Sequence, residues 1–256
     1  MSKEAIEVET KKIILPLTPI KAVTKSPKEL IIFSKPKVGK TTLLAGLPDC
    51  LILDFEDGSD YVEAMKIKVK TLDELKQIGK AIKDAGNPYK YIAIDTVTAL
   101  EEFCVGYAEE LYSKSSMGQN WFTQGKPKYG TILNMPQGAG YQWLRQAYTK
   151  ILDFIRGLAP RIILVGHVKD TILEKAGSEF NSMDLDLTGK IKRITASNSD
   201  AIGYLYRKGK QNIISFKTND EISCGARPEH LRNQEIVLSE LMDETIVTNW
   251  DKIYLD

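Results

Sequence analysis

Residues 29–47 read ELIIFSKPKVGKTTLLAGL, and this stretch decides the fold. Its first five residues form a short apolar run typical of a buried strand, and Leu43–Leu47 has helical potential. Between them, Gly39-Lys-Thr41 supplies the second half of the pattern Gly-x-x-x-x-Gly-Lys-Ser/Thr, whose backbone N–H groups hold phosphates. Ser34 stands where that pattern has its first glycine. The stretch therefore predicts a strand, a phosphate-binding loop and a helix.

The motif assigns a task to each of its side chains. Lys40 would contact the β- and γ-phosphates of a nucleotide, and the hydroxyl of Thr41 would bind Mg²⁺. We expect the nucleotide, ATP, to lie along one continuous run of residues. The run consists of Ser34, Lys35, Pro36, Lys37, Val38, Gly39, Lys40, Thr41 and Thr42.

Further apolar runs alternate with amphipathic stretches along the chain. Strands are predicted at Cys50–Asp54, Tyr91–Asp95 and Arg161–Val168, and helices at 72–85 and 142–158. Such alternation predicts an α/β fold with a mainly parallel sheet and helices on both faces. Later in the chain, strands at 201–207 and 212–217 are expected to form a hairpin through Lys208-Gly-Lys210.

Three polar side chains follow predicted strands, and the carboxyl ends of parallel strands form one ligand-binding edge. Asp95 is a candidate Mg²⁺ residue, although an Asp at this position is often only a helix N-cap. Glu56 could activate a water molecule, or it could belong to a solvated acidic loop with its neighbouring aspartates. His167 could sense a phosphate, although a histidine at a strand end is often structural.

Composition narrows the class of protein. The chain has 256 residues, 43% hydrophobic and 27% charged, which is typical of a folded globular protein. Its longest apolar runs are far shorter than the roughly 20 residues that span a bilayer, so we expect a cytoplasmic protein without a membrane partner. The three cysteines lack metal-ligand spacing and are expected to be small buried hydrophobes.

The net charge of +1 conceals charged segments, including an acidic C-terminal stretch at 220–256. Two segments without clear periodicity, 113–140 and 169–198, contain three and four lysines and are longer than ordinary connections. Basic loops with aromatic residues such as Trp121 and Phe122 can follow a phosphate backbone and stack on bases. Surface insertions are the alternative interpretation.

The order of these motifs resembles the RecA family, and most closely the phage-encoded RecA-like single-strand annealing proteins. The resemblance rests on the motifs at 37–41, 51–56, 92–98 and 164–167, and on later signatures at 186–190, 200–204 and 227–231. It implies that Glu56 is the catalytic base, that Lys40 and His167 take part in catalysis, and that Thr41 and Asp95 hold Mg²⁺.

The same resemblance implies that segments 113–140 and 169–198 are two DNA-binding loops. The DNA-binding residues would be Lys126, Lys128, Lys169, Lys190, Lys192 and Arg193. It also implies a homo-oligomeric filament or ring on single-stranded DNA, in the cytoplasm of a phage-infected bacterium, with a single-strand DNA-binding protein as a further candidate partner. A neighbouring subunit would supply a cation. Candidates for that role or for phosphate contacts are Lys190, Lys192, Arg193, Arg207 and Lys208.

The expected organisation is an N-terminal arm at 1–28 that could serve oligomerisation, an ATPase core at 29–219 and an acidic extension at 220–256. Two alternatives remain open. Ser34 leaves room for an ATP-bound annealing module with negligible hydrolysis. Lys35 also matches the signature lysine of ParA/MinD-type ATPase switches, although those proteins have glycines where Pro36 and Lys37 stand.

Overall fold

The computed structural model describes residue 15 and residues 17–175, 178–219 and 221–255, with backbone only for 172–175 and 178–181. Most strands of the chain join one mixed sheet, and β5 and β6 form a separate small hairpin. In chain order the strands are Glu29–Ser34 (β1), Cys50–Asp54 (β2), Lys66–Lys68 (β3), Tyr91–Asp95 (β4), Phe122–Thr123 (β5), Lys126–Pro127 (β6), Arg161–Lys175 (β7), Ser178–Leu185 (β8), Ala201–Lys208 (β9), Gln211–Ser215 (β10), Gly225–Ala226 (β11), Glu235–Met242 (β12) and Thr245–Thr248 (β13).

The main sheet has the strand order β13-β12-β10-β9-β1-β7-β4-β2-β3. From β9 to β3 every neighbouring pair is parallel, whereas β10, β12 and β13 continue the sheet as antiparallel strands. Strand β7 lies between β1 and β4, so the strand before the phosphate-binding loop and the strand that ends at Asp95 are not neighbours. This order brings the ends of four strands to one edge.

The helices cover both faces of the sheet. They are Lys40–Ala45 (α1), Leu72–Asp84 (α2), Val97–Ser113 (α3), Gly140–Arg156 (α4) and Gly189–Asn198 (α5). Helix α2 starts at a capping box, in which Thr71 and Glu74 bond each other's backbone N–H groups. The predicted helices at 72–85 and 142–158 match α2 and α4 closely. Helix α3 follows Asp95 and was not anticipated.

The hydrophobic core forms two clusters, one on each face of the sheet, because alternate residues of each strand point to opposite sides. In β1, Ile31 and Phe33 pack with α2, α3 and α4, whereas Leu30 and Ile32 pack with α1 and the C-terminal segment. All three cysteines are buried in these clusters. The predicted fold class, a mainly parallel sheet with helices on both faces, is confirmed.

Segment 169–198 differs from the predicted loop. Strand β7 continues past the main sheet to Lys175 and pairs antiparallel with β8, and α5 follows at 189–198. Pairing with β8 satisfies the backbone N–H and C=O groups that β7 no longer shares with β1 or β4. Polar residues interrupt both strands, and α5 buries only Ile191 and Thr195, so neither element has a strong sequence period. The prediction of a long loop here was wrong.

Segment 113–140, the other predicted loop, contains only the small β5–β6 hairpin and short 3₁₀ turns after α3 ends. Gln124 and Gly125 join the two strands with positive φ angles, 52° and 76°, which is the geometry of a type I′ turn. Trp121 anchors the segment: its side chain is 2% exposed and its ring lies 5.2 Å from that of Tyr112. This tryptophan is therefore not exposed for stacking on bases.

The acidic C-terminal segment is folded against the core over its described residues, 221–255. Strand β12 pairs with β10, and β13 pairs with β12. Trp250, Ile253 and Tyr254 are buried in the cluster that contains α1. Within the described part of the chain, no helix is both long and apolar enough to cross a membrane.

A buried ion pair closes the end of the sheet opposite the phosphate-binding loop. Glu29, whose side chain is 9% exposed, accepts hydrogen bonds from the Arg156 guanidinium at 2.7 and 2.9 Å and from the Ser199 hydroxyl at 2.8 Å. The two-point contact joins the start of β1 to the end of α4. It fixes where the central strand begins.

Replacing Arg156 by alanine should leave the Glu29 carboxylate buried without its cation. We expect a loss of about 3 kcal/mol in the free energy of unfolding, because an uncompensated buried charge is costly. For a chain of this size that loss corresponds to a melting temperature about 10 °C lower. Thermal denaturation measures it, with Lys150→Ala on the exposed side of α4 as the control. Equal melting temperatures for both variants would contradict the assignment.

Candidate functional site

The phosphate-binding loop leaves β1 at Ser34 and enters α1 at Lys40. Gly39 has φ = 104°, a left-handed conformation that favours glycine, and an added Cβ would lie 3.4 Å from the Arg207 guanidinium. Lys37 also has a positive φ, 62°. The loop therefore has left-handed residues at Lys37 and at the second glycine of the motif, Gly39, despite the missing first glycine.

Ser34, which replaces that glycine, has a definite contact. Its hydroxyl is fully buried, donates to the Lys35 carbonyl at 2.8 Å and accepts from Lys40 Nζ at 3.2 Å. Lys40 Nζ also lies 3.5 Å from the Lys35 carbonyl. The serine thus aligns the lysine side chain along the loop.

Lys40 is 8% exposed, and burial lowers the pKa of its ammonium, while the nearby charges of Asp95 and Glu56 act in the opposite direction. A buried ammonium with neutral hydrogen-bond acceptors is incompletely compensated. An anionic ligand over the loop would supply the missing negative charge. The electrostatics of Lys40 therefore fit a phosphate ligand.

Thr41 and Asp95 meet across β7. The Thr41 hydroxyl donates to Asp95 Oδ2 at 2.6 Å, although 54 positions separate the two residues in the chain. Asp95 is 5% exposed; burial raises the pKa of its carboxyl, and the bond from Thr41 partly offsets the shift. A hydroxyl and a carboxylate at this separation are hard oxygen ligands of the kind that Mg²⁺ prefers. The pair fits a magnesium ion, which when bound would polarise phosphate oxygens.

Glu56 is held by two groups. Its Oε1 accepts from the Thr96 hydroxyl at 3.1 Å and lies 2.6 Å from His167 Nε2. His167 ends the sheet portion of β7, in register with Ser34 of β1, so it lies between the loop and Glu56. The structure thus brings together the predicted catalytic residues, Lys40, Glu56 and His167, around the ends of β1, β7, β4 and β2.

Two contributors were missed at the sequence level. Asp54, 2% exposed, accepts from the backbone N–H groups of Glu56, Asp57 and Ser59 at 2.9, 2.9 and 3.1 Å, and so shapes the turn that presents Glu56. Thr96 contacts Glu56 and also caps α3. In the sequence, only their positions could have indicated a role, because each lies within two residues of a carboxylate predicted to be in the site.

The predicted DNA-binding residues form two groups. Lys126 and Lys128 belong to the β5–β6 hairpin region and are exposed. The other four are on the β7–β8 hairpin and α5. Lys169 lies 4.0 Å from Asp186, and Lys192 pairs with Asp184 at 2.6 Å. Lys190 and Arg193 are exposed on α5. A cleft over α3 is lined by both segments, through Leu133 and Tyr141 on one side and Lys169 and Asp186 on the other.

An AAA domain family profile matches residues 26–227, which is most of the chain and includes every site residue predicted from the sequence. The chain belongs to the AAA domain family. Together with the phosphate-binding loop, this membership identifies a P-loop ATPase domain. The β12 and β13 strands lie beyond the matched residues.

Two solved structures are similar to this AAA protein. The crystal structure of the RadB recombinase has a TM-score of 0.44 and 10% identity, covering 86% of this chain and 90% of that one. The KaiC-like protein PH0186 from Pyrococcus horikoshii OT3 has a TM-score of 0.41 and 11% identity, covering 87% and 89%. A search of curated proteins gave no match.

Asp95→Asn should change the stability of the protein and its binding of ATP in opposite directions. The folded-state pKa of Asp95 lies above its unfolded value, so its ionised carboxylate destabilises the ligand-free protein at neutral pH. This destabilisation fades as the pH falls through the raised pKa. We therefore expect the substitution to raise the melting temperature by about 2–4 °C at pH 7.5 and to weaken Mg²⁺-dependent ATP binding.

The measurement is thermal denaturation of both proteins without nucleotide from pH 7.5 downward, where the difference should shrink as the pH approaches the raised pKa of Asp95. Asp251→Asn, at an exposed position, is the control and should leave the melting temperature unchanged. A less stable Asp95→Asn protein at neutral pH would contradict the expected cost of the buried carboxylate.

Proposed function

We propose that the chain is a RecA-like recombination protein of phage type that binds single-stranded DNA and promotes annealing or strand exchange, with DNA-dependent ATP hydrolysis. The observation that carries the proposal is the contact between Glu56 and His167, 2.6 Å apart. It joins the candidate catalytic base to the strand that continues into the β7–β8 hairpin, which carries Lys169.

In the proposed reaction, Glu56 takes a proton from a water molecule as the water oxygen bonds to the γ-phosphorus and the bond to the β-phosphate oxygen breaks. Lys40 neutralises charge on the β- and γ-phosphates. Thr41 and Asp95 would hold the magnesium ion. Glu56 must release His167 or Thr96, or turn Oε2 toward the water, before it can accept that proton, since both groups contact the same oxygen, Oε1.

Strand β7 provides a direct connection between the site and a DNA surface. Lys169 follows His167 by two residues, so the two side chains lie on the same face of the strand. A phosphate that draws Lys169 away from Asp186, 4.0 Å distant, would act on the same strand that holds His167. Binding of DNA could in this way change the distance from His167 to Glu56.

The proposed DNA surface combines free and paired cations. Lys126, Lys128, Lys190 and Arg193 are exposed and could contact phosphates directly. Lys192 is paired with Asp184 and would have to exchange a carboxylate for a phosphate. Exposed Phe122 and Tyr129, at 46% and 40%, are the aromatic residues of the first segment that could stack on bases.

The proposed assembly is a homo-oligomer on single-stranded DNA, with residues 1–28 as the oligomerisation segment and a single-strand DNA-binding protein as a further partner. Within the described residues of that arm, Leu17 and Val23 are each 97% exposed, which supports a role in contacts between subunits. Lys190, Lys192, Arg193 and Lys208 are candidates for the cation supplied to a neighbouring site. Arg207 contacts the loop of its own chain.

A steady-state ATPase assay without DNA, with single-stranded DNA and with duplex DNA tests the proposal. We expect single-stranded DNA to stimulate hydrolysis, and salt to weaken the stimulation because phosphate contacts release counterions. Glu56→Gln should lower the stimulated rate by at least about 100-fold while retaining ATP binding, since it removes the general base. Glu63→Gln, on the exposed side of the same loop region, is the control.

Other results would point elsewhere. Stimulation by duplex DNA alone would contradict the recombination proposal and fit the ParA-type alternative. Full annealing with a non-hydrolysable ATP analogue would favour the second candidate function, an ATP-bound annealing module with negligible turnover. Ser34, in place of the first glycine of the motif, is the feature that favours this second candidate.

His167→Ala should uncouple hydrolysis from DNA. It removes the contact with Glu56 and leaves the phosphate-binding loop intact, so we expect ATP affinity within about twofold of the wild type and a loss of most of the DNA stimulation. The measurement is the ratio of hydrolysis rates with and without single-stranded DNA. An unchanged ratio would show that DNA acts on the site by another route.

A further inference from the structure

A row of polar side chains crosses the antiparallel part of the sheet. Arg207 of β9 is paired in register with Asn212 of β10, Asn212 with Ser239 of β12, and Ser239 with Thr248 of β13. Residues paired directly across neighbouring strands point to the same face of a sheet. We name these four residues the polar row.

Hydrogen bonds connect the first three members. Arg207 Nε donates to Asn212 Oδ1 at 3.2 Å, and Asn212 Nδ2 donates to Ser239 Oγ at 3.1 Å. Ser239 is 2% exposed, so its hydroxyl lies inside the protein. The Asn212 amide is thereby fixed with its oxygen toward the arginine and its nitrogen toward the serine, which orients the guanidinium.

The two ends of the polar row contact the two ends of the phosphate-binding unit. Arg207 Nη2 donates to the Val38 carbonyl at 2.8 Å, immediately before Gly39. Thr248 Oγ1 donates to the Gly46 carbonyl at 2.9 Å, immediately after α1. The loop and its helix are therefore held at both ends by residues of the antiparallel strands.

Helix α1 needs such support. It has six residues, too few to be stable in isolation, and the last carbonyls of a helix lack partners within it. Trp250 Nε1, buried directly after β13, donates to the Leu43 carbonyl at 3.0 Å. At Gly46 an added Cβ would lie 2.4 Å from Thr248 Cγ2, so glycine permits the close approach of β13. The Leu43 and Leu44 carbonyls also accept from the backbone N–H groups of Gly46 and Leu47, so Trp250 and Thr248 add contacts from outside to the end of α1.

We propose that the polar row positions the phosphate-binding loop and α1 in the same subunit, and that nucleotide affinity depends on it. Arg207 is then a positioning residue that acts through the Val38 carbonyl of its own chain. Ser239 and Thr248 lie beyond the matched AAA residues, so the C-terminal strands complete the nucleotide site. The inference deepens the proposed function and rests on ATP binding at this loop.

The test uses the full chain, a fluorescent ATP analogue and hydrogen exchange of the amides of residues 39–46. Thr248→Val removes one hydroxyl with little change of shape. We expect the analogue to bind about 3- to 10-fold more weakly, as for one lost hydrogen bond, and the amides at the end of α1 to exchange faster without nucleotide. Thr248→Ser keeps the hydroxyl and should bind within about twofold of the wild type.

Thr245→Val is the matched control, because Thr245 lies on the same strand but is exposed. It should change neither affinity nor exchange. Arg207→Lys keeps the charge but cannot form the same pair of directed bonds, so it should also weaken binding by about 3- to 10-fold. Wild-type affinity and exchange in both Thr248→Val and Arg207→Lys would overturn the proposal.

Mixing subunits separates action within one subunit from action on a neighbour. If Arg207 served a neighbouring site, intact Arg207 on Lys40→Ala subunits would restore hydrolysis to Arg207→Lys subunits, and that rescue would overturn the proposal. We expect no rescue. A wild-type protein that binds the analogue but lacks DNA-stimulated hydrolysis would contradict the proposed function alone, since affinity and exchange still decide the role of the polar row.

Discussion

The hydrogen bond from Thr41 to Asp95 depends on the arrangement of three strands. Thr41 belongs to the helix after β1, Asp95 ends β4, and β7 lies between those strands. Both parallel pairings of β7 must keep their register for the two side chains to come within 2.6 Å. A shift of one residue would turn Asp95 to the other face of the sheet, because side chains alternate along a strand. The geometry of the site therefore depends on the register in which β7 pairs with β1 and β4.

The same arrangement concentrates charge that the protein alone does not balance. Burial opposes the ionised form of Asp95 and the protonated form of Lys40, and the carboxylate of Glu56 raises the pKa of Asp95 further. Such groups persist at functional sites because the surrounding fold holds them in place, at some cost in stability. A polyphosphate with a divalent cation brings charges of both signs to the same place. Binding of such a ligand would therefore offset the cost of these buried charges and stabilise the folded protein.

The sequence was informative where a residue's role followed from its place on a strand. Glu56, Asp95 and His167 could be predicted because each follows a buried apolar run, and parallel strands end at one edge. The β7–β8 hairpin and α5 could not be predicted. Polar residues interrupt both strands, and α5 buries only two residues, so none of these elements has a strong period in the sequence. Arg207 was one of several candidates for a cation supplied to a neighbour or for phosphate contacts, and its guanidinium contacts the Val38 carbonyl, 169 positions away. No local pattern encodes such a distant contact.

Helix α3 gives the proposed coupling a second physical route beside β7. It begins next to Asp95, and Glu101 on it accepts hydrogen bonds from the backbone N–H and hydroxyl of Thr188, just before α5. Glu109, two turns further along α3, accepts a hydrogen bond from the backbone N–H of Ile132, which lies in segment 113–140. One helix therefore contacts both proposed DNA segments and starts two residues after Asp95, the candidate magnesium residue. Because α3 begins beside Asp95 and β7 passes through the site at His167, a displacement of either segment could be transmitted to these residues through contiguous contacts, and this is the physical basis of the proposed coupling.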